Sequence, residues 1–189
     1  DLHDCIEWAA AQPWCNGKVG LNGISYFATN QWYVAPFQPP HLAAMIPWEG
    51  FADFYRDFAY HGGIGCDMKD VWYRRTTTTV QHGLGTRALK NRNTGELVAG
   101  PDTLSDEALA KNRSDFPGEI NAHPLDDAFH RERSAQWDKV VVPFLSAGNW
   151  GGSSLHLRGN VEGFTRAASK QKWLEIHGRE HWTEFYTDY

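Results

Sequence analysis

The chain has 189 residues, 41% of them hydrophobic and 22% charged, a balance that supports one sizeable soluble core and excludes an extended disordered chain. Its formal net charge of -5 leaves no basic excess for a nucleic-acid partner, and no run approaches the ~18 apolar residues that a membrane span requires. The three cysteines, Cys5, Cys15 and Cys66, are an odd number without a CxxC pair, which disfavours a disulfide framework or a thiolate zinc site and points to buried thiols.

In chain order, Leu2, Cys5, Ile6, Ala9 and Ala10 recur at helical spacing, which predicts a helix over 1–12 that stops at Pro13 and Asn16-Gly17. Residues 18–22 read as a short buried strand, and 26–34, free of glycine, as a helix. Residues 42–46 form another compact apolar run. The stretch 51–121 mixes aromatics, glycines and polar pieces without a strand period, apart from a helix over 104–111 entered from Ser105-Asp106. A strand at 140–147, a helix from about Asn160 to Ala168 and a strand at 172–176 follow. Residues 1–48 and 138–189 thus read as the two parts of one core, and 49–137 as an aromatic-rich insert. Such alternation predicts an α/β protein with a mostly parallel sheet and helices on its faces. Ligands of such sheets bind at the carboxyl ends of the strands, where the insert is expected to sit.

The stretch 20–27, GLNGISYF, places Ser25 between a predicted strand and a predicted helix. A nucleophile elbow needs that junction, because the turn must lift the serine hydroxyl above the sheet. Gly23 supplies the first glycine of G-x-S-x-G, whereas Phe27 stands where the second would be. The alternative is a serine N-cap. A serine nucleophile needs a histidine base, itself oriented by a carboxylate. In the α/β-hydrolase order the histidine comes last, after the final core strand, which favours His181 over His177 at the strand end. The acid is expected after the preceding strand, yet 142–152 contains no Asp or Glu. Asp138 precedes that strand, and Glu162 is the nearest carboxylate downstream. His177 and His181 have i,i+4 spacing, but Gly178 interrupts any helix that would align them and no H-E-x-x-H order exists, so neither a metal nor a cofactor is expected.

Ile6-Glu7-Trp8 through Gly20, followed by Gly23-Ile24-Ser25-Tyr26, resembles the cocaine-esterase and X-prolyl dipeptidyl-peptidase (CocE/NonD) group of serine hydrolases. Pro39-Pro40-His41-Leu42, Pro47-Trp48-Glu49-Gly50, Asp53-Phe54-Tyr55-Arg56 and Gly62-Gly63-Ile64 continue the resemblance, as do Leu155-His156-Leu157-Arg158-Gly159 and His181-Trp182. It implies an α/β-hydrolase domain with a helical cap, acting through an acyl-enzyme with a Ser-His-Asp triad. Ser25 and His181 match the nucleophile and base by motif. In many relatives an aspartate follows the tryptophan corresponding to Trp150. Gly151 or Gly152 holds that place here, so either another carboxylate such as Glu162 serves as the acid or the base is left without its usual orienter. The family's amino-terminal strands, which carry a tyrosine hydroxyl for the oxyanion hole, and its carboxyl-terminal β-sandwich lie outside this sequence, which reads as a piece of a longer protein.

Together these features predict a serine hydrolase that cleaves carboxylic esters, and by extension amides, with Ser25 as nucleophile, His181 as base and the Tyr26 backbone amide as oxyanion donor. Trp48, Phe51, Phe54, Tyr55 and Trp72 are the expected pocket aromatics. The alternatives are a non-catalytic hydrolase-like binding domain or inactive fragment, and an X-prolyl dipeptidyl peptidase, which needs a carboxylate for the free amine of its substrate. The expected partner is a small-molecule ester or amide, with no nucleic acid and no membrane. Homo-oligomerisation through an unpaired sheet edge and a cytoplasmic setting complete the expectation.

Overall fold

Val19–Ile24 (β1), Leu42–Trp48 (β2), Phe144–Asn149 (β3) and Lys172–His177 (β4) form a parallel sheet in that spatial order. The computed structural model describes residues 1–81, 89–98, 104–151, 154–179 and 181–187. Along the chain the α-helices are Leu2–Ala10 (α1), Tyr26–Val34 (α2), Met68–Trp72 (α3), Asp106–Lys111 (α4), Phe116–Asn121 (α5), Ala128–Arg131 (α6) and Ser154–Arg166 (α7). Parallel neighbours need crossover connections; α2 carries the one from β1 to β2 and α7 the one from β3 to β4. The residues fall into two compact units, Asp1–Gly62 with Asp126–Tyr189, and Gly63–Leu125. Residues 49–62 and 126–137, which the sequence groups with the insert, therefore pack with the sheet.

The core of the first unit is aromatic. Trp32 of α2 meets Trp137 and Phe144 edge-on, with ring centroids 5.2 Å apart in both pairs, and Met45, Val140 and Ala167 close around them. Two boundaries differ from the periodicity. β3 starts at Phe144 rather than Val140, because Pro143 has no N–H to give a ladder; Val140 is nonetheless fully buried. α7 starts at Ser154 rather than near Asn160, and runs through Gly159. A Cβ on Gly159 would lie 2.5 Å from the Gly50 carbonyl oxygen and 2.8 Å from the Ala52 nitrogen, so glycine is what lets the helix lie directly on that backbone. The cysteines also depart from expectation. Cys5 is exposed, since α1 turns Ile6 and Ala10 inward instead, and Cys15 and Cys66 are half-buried.

Asn160 fixes α7 against two strands. Fully buried, it accepts from the Gly50 amide at 3.1 Å and donates to the Pro47 carbonyl and to Ser146 Oγ, both at 2.9 Å. Two residues earlier, Arg158 donates to Asp57 at 2.8 Å, and the other oxygen of that buried carboxylate accepts from the Ala52 and Asp53 amides. The register brings the strand ends level: Ile24 lies beside Trp48, Trp48 beside Ala147, and Asn149 beside His177. The first residue past three of the strands is still held, with Ser25 N donating to Trp48 O at 3.0 Å, Glu49 N to Ala147 O at 2.7 Å and Trp150 N to His177 O at 2.9 Å.

In the second unit, α4 is capped as its sequence predicts, with Ser105 Oγ accepting from the Ala108 amide at 3.2 Å. Asp115 caps α5 the same way through Gly118. Tyr73–Gln81 is a π-helical stretch that follows α3. Within it, Thr76 and Thr78 donate to the carbonyls of Trp72 and Arg74 four residues back, bonds of the kind that distort helices. No helix among the described residues is long and apolar enough to cross a membrane.

Gly-to-Ala exchanges inside helices ordinarily stabilise by up to ~1 kcal/mol. At Gly159 the sign should reverse, because the added methyl meets backbone that cannot yield: Gly159→Ala is expected to destabilise by about 1–3 kcal/mol, read as a lower Tm of the full-length protein. An unchanged or higher Tm would contradict the close docking of α7.

Candidate active site

Ser25 sits directly after β1 with φ 60 and ψ -118, a backbone conformation that L-residues avoid and that a sharp strand-to-helix turn imposes. The imperfect motif has a steric explanation. A Cβ on Gly23 would lie 2.6 Å from the Phe27 Cβ, so this glycine is required. Phe27 itself projects outward, 67% exposed, and the second glycine is not needed. The Ser25 carbonyl accepts from the Ala28 and Thr29 amides at 3.0 and 2.9 Å. Its hydroxyl makes no capping bond and lies 3.3 Å from His156 Nε2 instead. The Tyr26 amide opens α2, and the first amides of a helix have no intrahelical acceptor.

Glu49 follows β2 as Ser25 follows β1, also with positive φ, at 49. Its carboxylate is wholly buried. Oε1 accepts from His177 Nε2 at 2.9 Å and from Asn149 Nδ2 at 3.3 Å, and Oε2 pairs with His181 Nδ1. Burial raises the Glu49 pKa, but the hydrogen bonds from His181 and His177 outweigh it and hold the group below the ordinary carboxylate value. Stability drawn from this anion is present above the unfolded value of 4.5 and is lost as pH falls through the lower folded value. His156, on α7, is 5% exposed, and its ring stacks on that of His181 at 4.7 Å with 20° between planes. Burial, and then the neighbouring His181, push the His156 pKa down to about 4. A serine hydroxyl, a carboxylate and two imidazoles thus gather where the strands end.

Residues 1–183 match the family model described as X-Pro dipeptidyl-peptidase (S15 family). The chain belongs to the S15 family. It is 29% identical over 165 residues to cocaine esterase of Rhodococcus sp. (strain MB1 Bresler), which covers 84% of this chain and 26% of that protein. It superimposes on the crystal structure of a CocE/NonD family hydrolase from Staphylococcus aureus with a TM-score of 0.78 and 36% identity, covering 99% of this chain and 29% of the other. An α-amino acid ester hydrolase, 18% identical with a TM-score of 0.58, shares the fold. The architecture is that of an α/β-hydrolase, and the chain spans between a quarter and a third of the length of the cocaine esterase and the Staphylococcus hydrolase.

Two site residues of this S15 chain are not among those the sequence singles out. Glu49 was legible as a carboxylate directly after an apolar strand, the same position that marked Ser25, but it stands one strand earlier than the α/β-hydrolase order places the acid. His156 was hidden by a helix predicted to start after it. Glu162 does not meet His181: it lies on α7, paired with Arg166 at 3.0 Å and near Arg158 at 3.8 Å. At Gly151 a Cβ would come within 3.0 Å of the Arg179 carbonyl and 3.1 Å of that of Gly178, so a side chain there would crowd the segment leading to His181. Gly152 and Glu180 lie outside the described residues.

Of the expected pocket aromatics, Trp48 is beside the site, its ring 5.6 Å from His177 and 5.7 Å from Phe185. Phe51 and Phe54 are buried against Phe58, and Tyr55 stacks on Tyr60, so these three serve packing of the 51–60 segment. Trp72 belongs to the second unit, on α3, and is 42% exposed. Glu49, His156 and His181 each offer a ligand atom within 4.8 Å of the others. Both Glu49 oxygens and His181 Nδ1 are already engaged with one another or with His177, which suits proton transfer better than metal coordination.

A histidine whose folded pKa is depressed takes up its proton more readily in the unfolded chain, so it removes stability as pH falls from 6.5 toward about 4. Urea denaturation at stepped pH should give a shallower loss across that window for His156→Phe than for the parent. Equal slopes would show that His156 is not the buried neutral imidazole described.

Proposed function

We propose that this chain carries the reacting groups of a serine hydrolase that cleaves carboxylic esters through an acyl-enzyme on Ser25, with His181 as base and Glu49 as the acid that orients it. The observation that carries this reading is the buried Glu49 carboxylate on His181 Nδ1, beside a serine held in strained elbow geometry. With Nδ1 donating to Glu49, His181 Nε2 is left as the acceptor for the serine proton. His181 stacks on His156, whose own Nε2 reaches Ser25 Oγ, and this supports the pairing of His181 with the serine. Catalytic hydrogen bonds commonly tighten only when substrate is bound.

Ser25 Oγ attacks the ester carbonyl as its proton passes to His181 Nε2, and the carbonyl π pair moves to oxygen, where the Tyr26 amide donates to the oxyanion. The pair returns, the C–O bond to the alcohol breaks, and His181 gives that oxygen its proton. Water then adds to the acyl carbonyl, losing its proton to His181. The bond to Oγ breaks, and the proton returns to Ser25. Glu49 stays ionised throughout, stabilising the imidazolium. An ester substrate is supported by the esterase and hydrolase names of the relatives, and the family description makes an X-Pro amide the comparison to run.

In the full-length protein a fluorophosphonate probe should label Ser25, and Ser25→Ala should abolish labelling. His181→Ala is expected to lower kcat/KM on p-nitrophenyl acetate by at least ~10³-fold and Glu49→Gln by about 10²–10⁴-fold. Labelling elsewhere, or a faster reaction with Ala-Pro p-nitroanilide than with the ester, would sink the esterase reading.

A further inference from the structure

The two imidazoles beside Ser25 differ in one respect that assigns their protons. Glu49 accepts from His181 Nδ1, so the proton of a neutral His181 is on Nδ1. His156 Nδ1 is buried and has no hydrogen-bond partner among the described residues. A buried N–H without an acceptor is rarer and costlier than an unused lone pair. His156 therefore keeps its proton on the other nitrogen, the one 3.3 Å from Ser25 Oγ.

We infer that His156 is a further catalytic residue, a neutral imidazole whose Nε2–H donates to Ser25 Oγ while His181 takes the serine proton. This rests on the reading of Ser25 as nucleophile and His181 as base. The donated hydrogen bond occupies a lone pair of Oγ and leaves the serine hydrogen to turn toward His181. As the O–H bond breaks, the same donor meets the growing negative charge on Oγ. In deacylation Oγ is the leaving atom, and the donor again offsets its charge until His181 returns the proton. His156 neither gains nor loses a proton in either half. The fold keeps the ring in position, since one turn along α7 Asn160 is bonded to the end of β2, the Gly50 amide just past it and Ser146 of β3. The low affinity of His156 for a second proton keeps it neutral beside the imidazolium that His181 becomes.

The experiment uses the full-length protein, p-nitrophenyl acetate and a fluorophosphonate probe. His156→Leu should lower kcat and the labelling rate on the order of 10²-fold with KM changed less than about threefold. His156→Gln, which keeps a donor near the same place, should recover roughly tenfold of that loss. The acid limb of the pH profile should persist in both variants and vanish in His181→Ala. In the parent, histidine ¹⁵N shifts should show the Nε2–H tautomer at His156, a readout that needs no folded variant. Parent-like rates in His156→Leu, or an Nδ1–H tautomer, would overturn the inference while leaving the serine mechanism standing. Loss of the acid limb in the His156 variants with its survival in His181→Ala would make His156 the base and overturn it as well. Absence of Ser25 labelling in the parent overturns the underlying reading instead.

Discussion

The site depends on one buried side chain that is not itself reactive. Asn160 uses its amide to hold the Gly50 nitrogen, the Pro47 carbonyl and the Ser146 hydroxyl, and so grips the chain on both sides of Glu49. An amide is suited to this because it offers donors and an acceptor in one plane, and the Gly50 amide and Pro47 carbonyl would otherwise lose that partner in the interior. The same grip fixes the helix that carries His156. Carboxylate and second imidazole therefore share an anchor, and a shift of α7 would misplace both together. Gly159 makes the arrangement possible by letting helix and strand backbones touch, and the ion pair of Arg158 with Asp57 adds a further tether nearby.

Above that anchor the electrostatics are simple. One anion, Glu49, is removed from water and surrounded by donors from His181, His177 and Asn149. Removing a carboxylate from water is costly unless charge-assisted hydrogen bonds compensate, and here they do, since the group is held ionised. The anion in turn makes His181 different from His156. Both are imidazoles in ring contact, but one has a carboxylate on its Nδ1 and the other has none. Environment alone gives one imidazole a carboxylate partner and leaves the other to burial, which keeps it neutral.

Much of this was legible in the sequence, and the parts that were not share a cause. Helical and strand periods mark α1, α2, β1, β2 and β4 to within a few residues, because each is bounded by glycine or proline. Ser25 and His181 stand out because a serine after a strand and a histidine after the last strand are local patterns. Glu49 and His156 are legible only in three dimensions. Glu49 belongs to His181 through parallel register between strands more than a hundred residues apart, and no spacing rule in one sequence encodes that. His156 was missed because the helix is expected to start near Asn160, four residues after it, whereas α7 begins at Ser154 and runs through Gly159, which lets it lie against the Gly50–Ala52 backbone. Phe51 and Phe54, aromatics that fit either a pocket wall or a core by sequence, are buried against Phe58.

Among the described residues four that are not glycine have positive φ: Ser25, Gln38, Glu49 and Trp182. Ser25 and Glu49 are reacting groups by the reading above, and Trp182 is adjacent to His181. Such conformations cost on the order of 1–3 kcal/mol each, so backbone strain is concentrated where the chemistry is. Glycine at any of these positions would relax the chain. At Ser25 and Glu49 that same exchange would remove the side chain, so backbone ease and the make-up of the site pull in opposite directions at these two positions.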